Sequence, residues 1–145
     1  MRIGIDLLDV ARFGRVAAHP AGRRIVFTPA ELAYADTLAG ARRAEHLAGR
    51  FCAKEATAKL LGSGFGQGLV WRDIEIARDA RGAPGVRLRG GARRIAERLG
   101  IACVQVSLSH QSGLAICAAV AVEGLTCGCD VPLFDSMVIP SMTVR

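Results

Sequence analysis

Residues 50–64 read Arg50-Phe51-Cys52-Ala53-Lys54-Glu55-Ala56-Thr57-Ala58-Lys59-Leu60-Leu61-Gly62-Ser63-Gly64. Ala, Leu and straight-chain charged residues favour a helix, and the same composition continues backwards to about Ala41. A single long helix from about Ala41 to Leu61 is therefore predicted, closed by Gly62. At 3.6 residues per turn, Glu55 and Lys59 share one face, with Arg50 and Lys54 on the stripe beside it. Two exposed ion-pair stripes are the plain reading of that spacing. Against it, Phe51, Ala53, Ala56, Ala58, Leu60 and Leu61 make the helix apolar on most other sides, which suits a largely buried helix whose charges line a polar cleft.

Downstream, Gly62 to Gly68 holds four glycines in seven residues, a loop whose backbone N–H groups an anion can approach. No Walker-type Lys-Ser/Thr follows it. Upstream, Thr28-Pro29-Ala30-Glu31 is a capping box with Pro at the first helical position, opening a helix that Gly40 should end. Arg2 to Leu8 reads as a short buried strand carrying Ile3, Ile5 and Leu7, followed by a helix from about Asp9 until Pro20. Asp73 to Ala77 and Val86 to Arg89 read as two strands around a turn at 79–85, and Gly91 to Leu99 as a basic amphipathic helix closed by Gly100. Cys103 to Ser109 and Leu114 to Val122 form a last hairpin, joined by His110-Gln111-Ser112-Gly113. Helices interleaved with antiparallel hairpins indicate an α+β fold: one compact domain, residues 1–124, with the long helix packed on antiparallel strands. Residues 125–145 lack a period and read as a C-terminal tail of unassigned role.

The 145 residues are 51% apolar but only 5% aromatic, so the core must be built from Ala, Leu, Ile and Val. Disorder is excluded by that apolar content. The best apolar run, Leu114 to Val122, is too short to span a membrane, and Asp6 and Asp9 interrupt what would be the core of a signal peptide. Five cysteines without framework spacing fit a reduced, cytoplasmic protein; Cys127-Gly128-Cys129 is too sparse for structural zinc. The net charge of +6 points to anionic partners, while the lack of an aromatic platform or recognition motif argues against nucleic acid. Among 19 basic residues only Lys54 and Lys59 are lysines, both on the long helix.

Three further residues are candidates for chemistry. Asp6 lies on an apolar strand, where it is either a cap for the next helix, a role Asp9 fills equally well, or a hard oxygen ligand for Mg2+ paired with Glu55. His110 sits in the hairpin connection, where solvation is the plain alternative to function. Cys52, beside the charged run, reads as a buried thiol.

Asp6-Leu7-Leu8-Asp9-Val10, Arg50 to Ala56 with Lys59, Gly62-Ser63-Gly64, Trp71-Arg72-Asp73-Ile74-Glu75-Ile76, Gly82-Ala83-Pro84 and Val106-Ser107-Leu108-Ser109-His110 together resemble the holo-(acyl-carrier-protein) synthases, the small trimeric branch of the 4′-phosphopantetheinyl transferases. The motifs span about residues 2 to 123 in the family's order. The resemblance implies that fold, and transfer of the phosphopantetheine arm of coenzyme A to a serine of an apo carrier protein, serving fatty-acid or polyketide synthesis. It implies Mg2+ on Asp6 and Glu55, Glu55 aiding removal of the serine proton, and Lys59 neutralising the phosphates. It implies nucleotide contacts from Arg50, Pro84 and His110, close approach of the pyrophosphate to Gly62, Ser63 and Gly64, and active sites between the subunits of a homotrimer. An acidic carrier protein would dock on Arg12, with Arg15, Arg23 and Arg24 extending the patch. Lys54 belongs to the motif with no step assigned. A carrier-binding protein without activity is the competing reading, disfavoured because Asp6, Glu55 and Lys59 are all present.

Overall fold

Alternation along the first strand decides which side of the sheet is covered. In the computed structural model, which describes residues 1–123, β1 runs Arg2–Asp9. Its inward residues are Gly4, Asp6 and Leu8, whereas Ile3, Ile5 and Leu7 are 60%, 53% and 60% exposed. The expected buried strand is thus correct in position and wrong in face. Gly4 is the physical reason: a Cβ there would lie 1.9 Å from the Ala56 carbonyl oxygen, so only a bare Cα lets the long helix rest on the strand.

That helix, α4 (Gly40–Leu61), ends as predicted at Gly62, whose φ of 71° closes it in the left-handed conformation. Ahead of it come α1 (Val10–Ala17), α2 (Pro20–Val26) and α3 (Pro29–Ala35). Asp9 caps α1 by accepting the Arg12 N–H at 2.7 Å, which leaves Asp6 free of capping duty. Pro20, read as an end, instead opens α2 at its first turn. The capping box forms as predicted, Thr28 and Glu31 each accepting the other's backbone N–H. The helix it opens stops at Ala35, and Gly40 begins α4 rather than ending α3.

After the glycine loop, a 3-10 turn (Trp71–Asp73) leads into β2 (Ile74–Arg78) and β3 (Pro84–Leu88), then α5 (Gly90–Arg98), β4 (Ile101–Gln111) and β5 (Leu114–Glu123). The antiparallel sheet has the order β1-β5-β4-β3-β2. One main core fills the space between α4, α5 and the sheet with Cys52, Ala53, Ala56, Leu60, Ile74, Leu88, Cys117 and Ala119; a smaller one packs Phe13 and Phe27 under Leu47 and Ala48. The small residues on α4 let the backbones approach. The α+β expectation of a long helix on antiparallel strands holds. The tail after residue 124, with Cys127 and Cys129, lies outside the described residues. Among the described residues no helix is long and apolar enough to cross a membrane.

Candidate functional site

Because α4 crosses β1 at Gly4, residues one turn apart on the helix meet the next inward position of the strand, Asp6. Lys59 Nζ lies 2.8 Å from Asp6 Oδ1 and donates a second hydrogen bond to the Ile5 carbonyl at 3.1 Å. Lys59 therefore pairs across to β1, while Glu55 acts on it through its charge alone. Half-burial, then the negative charge of Asp6, hold Glu55 above the usual carboxylate range, while Lys59 pulls it back. The hydrogen bond to Asp6 raises Lys59, desolvation opposes it, and the charges of Asp6 and Glu55 add to the rise. Two carboxylates and one ammonium are thus gathered, as the sequence suggested.

Glu55 and Lys59 open on a cleft of about 390 Å³ also walled by Gly62, Ser63, Gly64, Phe65 and Trp71, with Asp6 held behind them through Lys59. Phe65 and Trp71 carried no assigned role in the sequence, yet they fix the far wall. Their rings stack at 3.6 Å between centroids, Trp71 stacks on Phe51 at 4.8 Å, and Phe51 meets Phe13 at 4.8 Å. The few aromatics of this chain form a ladder beside the cleft, and a lone Trp just after a glycine loop was the signal for it.

Lys54, one residue before Glu55, is fully buried and not on an exposed stripe. Its ammonium sits 2.9 Å from Glu31 Oε2, donates to the Trp71 carbonyl at 3.1 Å and to the Ile74 carbonyl, and lies 5.9 Å from the centre of the Phe27 ring. Burial lowers its pKa and Glu31 opposes that shift. Lys54 thereby ties α3, α4 and the start of β2 together and holds the backbone of Trp71 in the cleft wall. It is a positioning residue, the role the sequence left open.

Arg50, Pro84 and His110 do not reach this cleft within the chain. Arg50, only 8% exposed, lines a separate pocket with Tyr34, His46, Glu75, Arg78 and Arg87. Pro84 opens β3 opposite Arg78. His110 lies within β4 rather than at the hairpin tip, and its ring rests on α4 at Gly49, where a Cβ would come within 2.8 Å of Nε2. Burial and the charges of Arg50, Arg78 and His110 lower the pKa of His46 to about 4, so His46 is neutral at neutral pH. Its ring lies 4.8 Å from that of Tyr34, which also accepts a hydrogen bond from Arg78. Arg87 is held by Glu75 at 3.3 Å, and Arg50 and Arg78 line the same pocket, Arg50 under the charge of Glu31. His46, Tyr34 and Arg78 were not singled out from sequence, because the strand that brings Arg78 to α4 is distant in the chain.

Arg12 and Arg15 are exposed on α1, and Arg24 on α2, while Arg23 is partly buried against a hollow lined by Phe13 and Leu47. Cys52 is buried and donates to the Asp6 carbonyl at 3.2 Å, a packing role as predicted. Among the described residues no three His, Cys, Asp or Glu side chains gather for a metal. Asp6 and Glu55 are two hard carboxylate donors, and burial with their mutual repulsion holds Glu55 above its ordinary range, a pair that would suit a divalent cation bound partly through water and phosphate.

Residues 2–117 match the family model of the 4′-phosphopantetheinyl transferase superfamily. The chain is 46% identical over 111 residues to the holo-[acyl-carrier-protein] synthase of Moorella thermoacetica, covering 76% of this chain and 84% of that protein. It is 45% identical to the synthase of Desulforudis audaxviator, covering 83% and 91%. A crystal structure of the holo-(acyl-carrier-protein) synthase from Bacillus anthracis in complex with CoA (3′,5′-ADP) superposes with a TM-score of 0.72 at 30% identity, covering 85% of this chain and 96% of that one.

Proposed function

Because the chain belongs to the 4′-phosphopantetheinyl transferase superfamily, we propose that it is a holo-(acyl-carrier-protein) synthase. The enzyme transfers 4′-phosphopantetheine from coenzyme A to a serine of an apo acyl carrier protein and releases adenosine 3′,5′-bisphosphate. The observation that carries this reading is the meeting of Asp6, Glu55 and Lys59 beside the Gly62–Gly64 loop, since phosphoryl transfer demands positioning, a base and positive charge. Asp6 and Glu55 would hold Mg2+, which supplies charge neutralisation on the pyrophosphate. Glu55, directly or through one water, accepts the serine proton as its oxygen bonds to the pantetheine phosphorus. Lys59, anchored to Asp6, neutralises the departing nucleotide phosphate as the P–O bond breaks. The loop allows the pyrophosphate to approach closely. The carrier docks on Arg12, with Arg15, Arg23 and Arg24 steering an acidic surface. Fatty-acid and polyketide carriers are the substrate class, and the cytoplasm is the compartment.

Of the nucleotide contacts, Arg50 lines a second pocket, and neither it nor Pro84 or His110 walls the cleft of its own chain, which is why we read the complete site as lying between copies. One subunit provides Asp6, Glu55, Lys59 and the loop, and its neighbour provides Arg50 and His110. The outer face of β1 and β5 supports a homotrimer: Ile3, Ile5, Leu7, Leu114 and Ile116 lie open on one side of the sheet, and monomers rarely expose such a contiguous apolar patch. Leu7→Asp should place charge in that face and yield monomers by light scattering, with transfer lost although Asp6, Glu55 and Lys59 are intact; a trimer retaining full activity would sink the arrangement. The reaction itself is tested by incubating the protein with coenzyme A, Mg2+ and an apo acyl carrier protein, then weighing the carrier. A gain of one phosphopantetheine is expected; no gain with any fatty-acid or polyketide carrier would overturn the reading.

A further inference from the structure

Behind the Gly62–Ser63 backbone lies another pocket, of about 490 Å³, which shares only those two residues with the cleft. Three arginines line it, Arg2, Arg94 and Arg98, and among the described residues no acidic residue does. Arg94 and Arg98 are i and i+4 on α5, a like-charge spacing that weakens a helix. The only acid on α5, Glu97, pairs with Arg93 at 2.8 Å and so does not relieve them. Arg2 projects towards the C-terminus of α4, whose carbonyls supply partial negative charge. Yet Arg2 Nη1 is buried with no hydrogen-bond partner among the described residues. A buried donor left unpaired costs free energy, and three convergent cations without a counter-charge repel one another. An oxyanion entering the pocket relieves the mutual repulsion, and a turn of the Arg2 guanidinium would give its unpaired donor a partner. Guanidinium forks match phosphate oxygens bidentately, and the Ser63 and Gln67 side chains on the same lining provide neutral donors.

We propose that Arg2, Arg94 and Arg98 form a second anion site, separate from the catalytic cleft, for a free phosphate or pyrophosphate ion. Its wall is the backbone of Gly62 and Ser63, the same residues that border the cleft, so occupancy on one side stiffens the loop that the other side uses. The inference does not rest on the transferase reading: it needs only the pocket, its charge and the unpaired donor.

The test is titration of the full chain with inorganic pyrophosphate, in the absence of coenzyme A, by isothermal calorimetry at fixed ionic strength. Arg94→Gln combined with Arg98→Gln, two surface changes on α5, should weaken binding at least tenfold while the ligand-free melting temperature stays within a few degrees. Lys59→Ala, which removes the cation of the cleft, should leave most of the binding in place. Three results would overturn the proposal: no pyrophosphate binding to the wild-type chain, unchanged binding in the double variant, or a loss in Lys59→Ala as large as in the double variant. The last would assign the anion to the cleft.

Discussion

Glu31→Ala is expected to lower folding stability by about 3–5 kcal/mol, the cost of leaving one member of a buried ion pair without its partner. Lys54 is fully buried, and among the described residues its ammonium has only Glu31 as a contacting carboxylate, at 2.9 Å. The same Glu31 accepts the Thr28 N–H at 2.8 Å and the Ile76 N–H at 2.8 Å, so the truncation also strands two backbone donors. Against a total of about 5–15 kcal/mol the loss is severe, and the melting temperature should fall by about 10–15 °C. The effect has a pH signature. Burial already lowers the Lys54 pKa in the wild type, with Glu31 opposing, so removing Glu31 lowers it further. The folded variant then binds fewer protons than the unfolded chain between that lowered value and the ordinary lysine range. Stability there rises with pH. Urea unfolding at pH 7 and pH 9.5 should show the deficit shrinking at the higher pH. A loss below about 1 kcal/mol, or a deficit independent of pH, would contradict the assigned pair.

The fate of these two residues shows what can be read from sequence. Thr28 and Glu31 are three apart, and local chemistry makes a capping box from that spacing alone. The third partner, Lys54, lies 23 positions further on, and no periodicity states which helix face will meet another. The spacing of Arg50, Lys54, Glu55 and Lys59 told that the charges form adjoining stripes. It did not tell that the Lys54 stripe is sealed by α3 and Trp71 while the Lys59 stripe stays open to the cleft. β1 is the converse case. Its period of two was plain, but alternation does not specify which face is covered. Hydrophobicity favoured Ile3, Ile5 and Leu7 inward, whereas Gly4 and Asp6 are the residues that α4 covers. The apparent inversion leaves Ile3, Ile5 and Leu7 on the open outer face of the single chain. Gly40 and Pro20 misled for a local reason: both residue types punctuate helices, and neither tells whether it stands at an end or a start.

Glu55→Gln is expected to reduce the transfer rate by about 10²–10⁴-fold, the usual contribution of a positioned general base, and to do so without harming the fold. The second half of that statement separates a catalytic carboxylate from a structural one. Half-burial and Asp6 together disfavour charge on Glu55, so the wild-type chain carries a penalty that a neutral amide of the same shape removes. Thermal stability of the variant should therefore equal or exceed that of wild type at pH 7, the reverse of Glu31→Ala. The sign at low pH agrees: a carboxyl whose folded pKa is raised adds stability below its unfolded pKa and loses it as pH rises through the folded value. The gap between variant and wild type should accordingly close on acidification. In rate, the raised pKa places the acid limb of wild-type transfer above the range of an ordinary glutamate, since the protonated acid cannot accept the serine proton, and the amide variant should lack that limb in its residual activity. Saturating Mg2+ held by Asp6 and Glu55 would favour the carboxylate and shift the limb to lower pH. Single-turnover transfer measured by carrier mass across pH 5 to 8, with and without excess Mg2+, reads the rate loss and the acid limb, and thermal melts over the same pH range read the stability gap. A variant with full activity, or one that loses activity only because it unfolds, would remove Glu55 from the reaction and leave Asp6 and Lys59 as an ordinary ion pair between a strand and a helix.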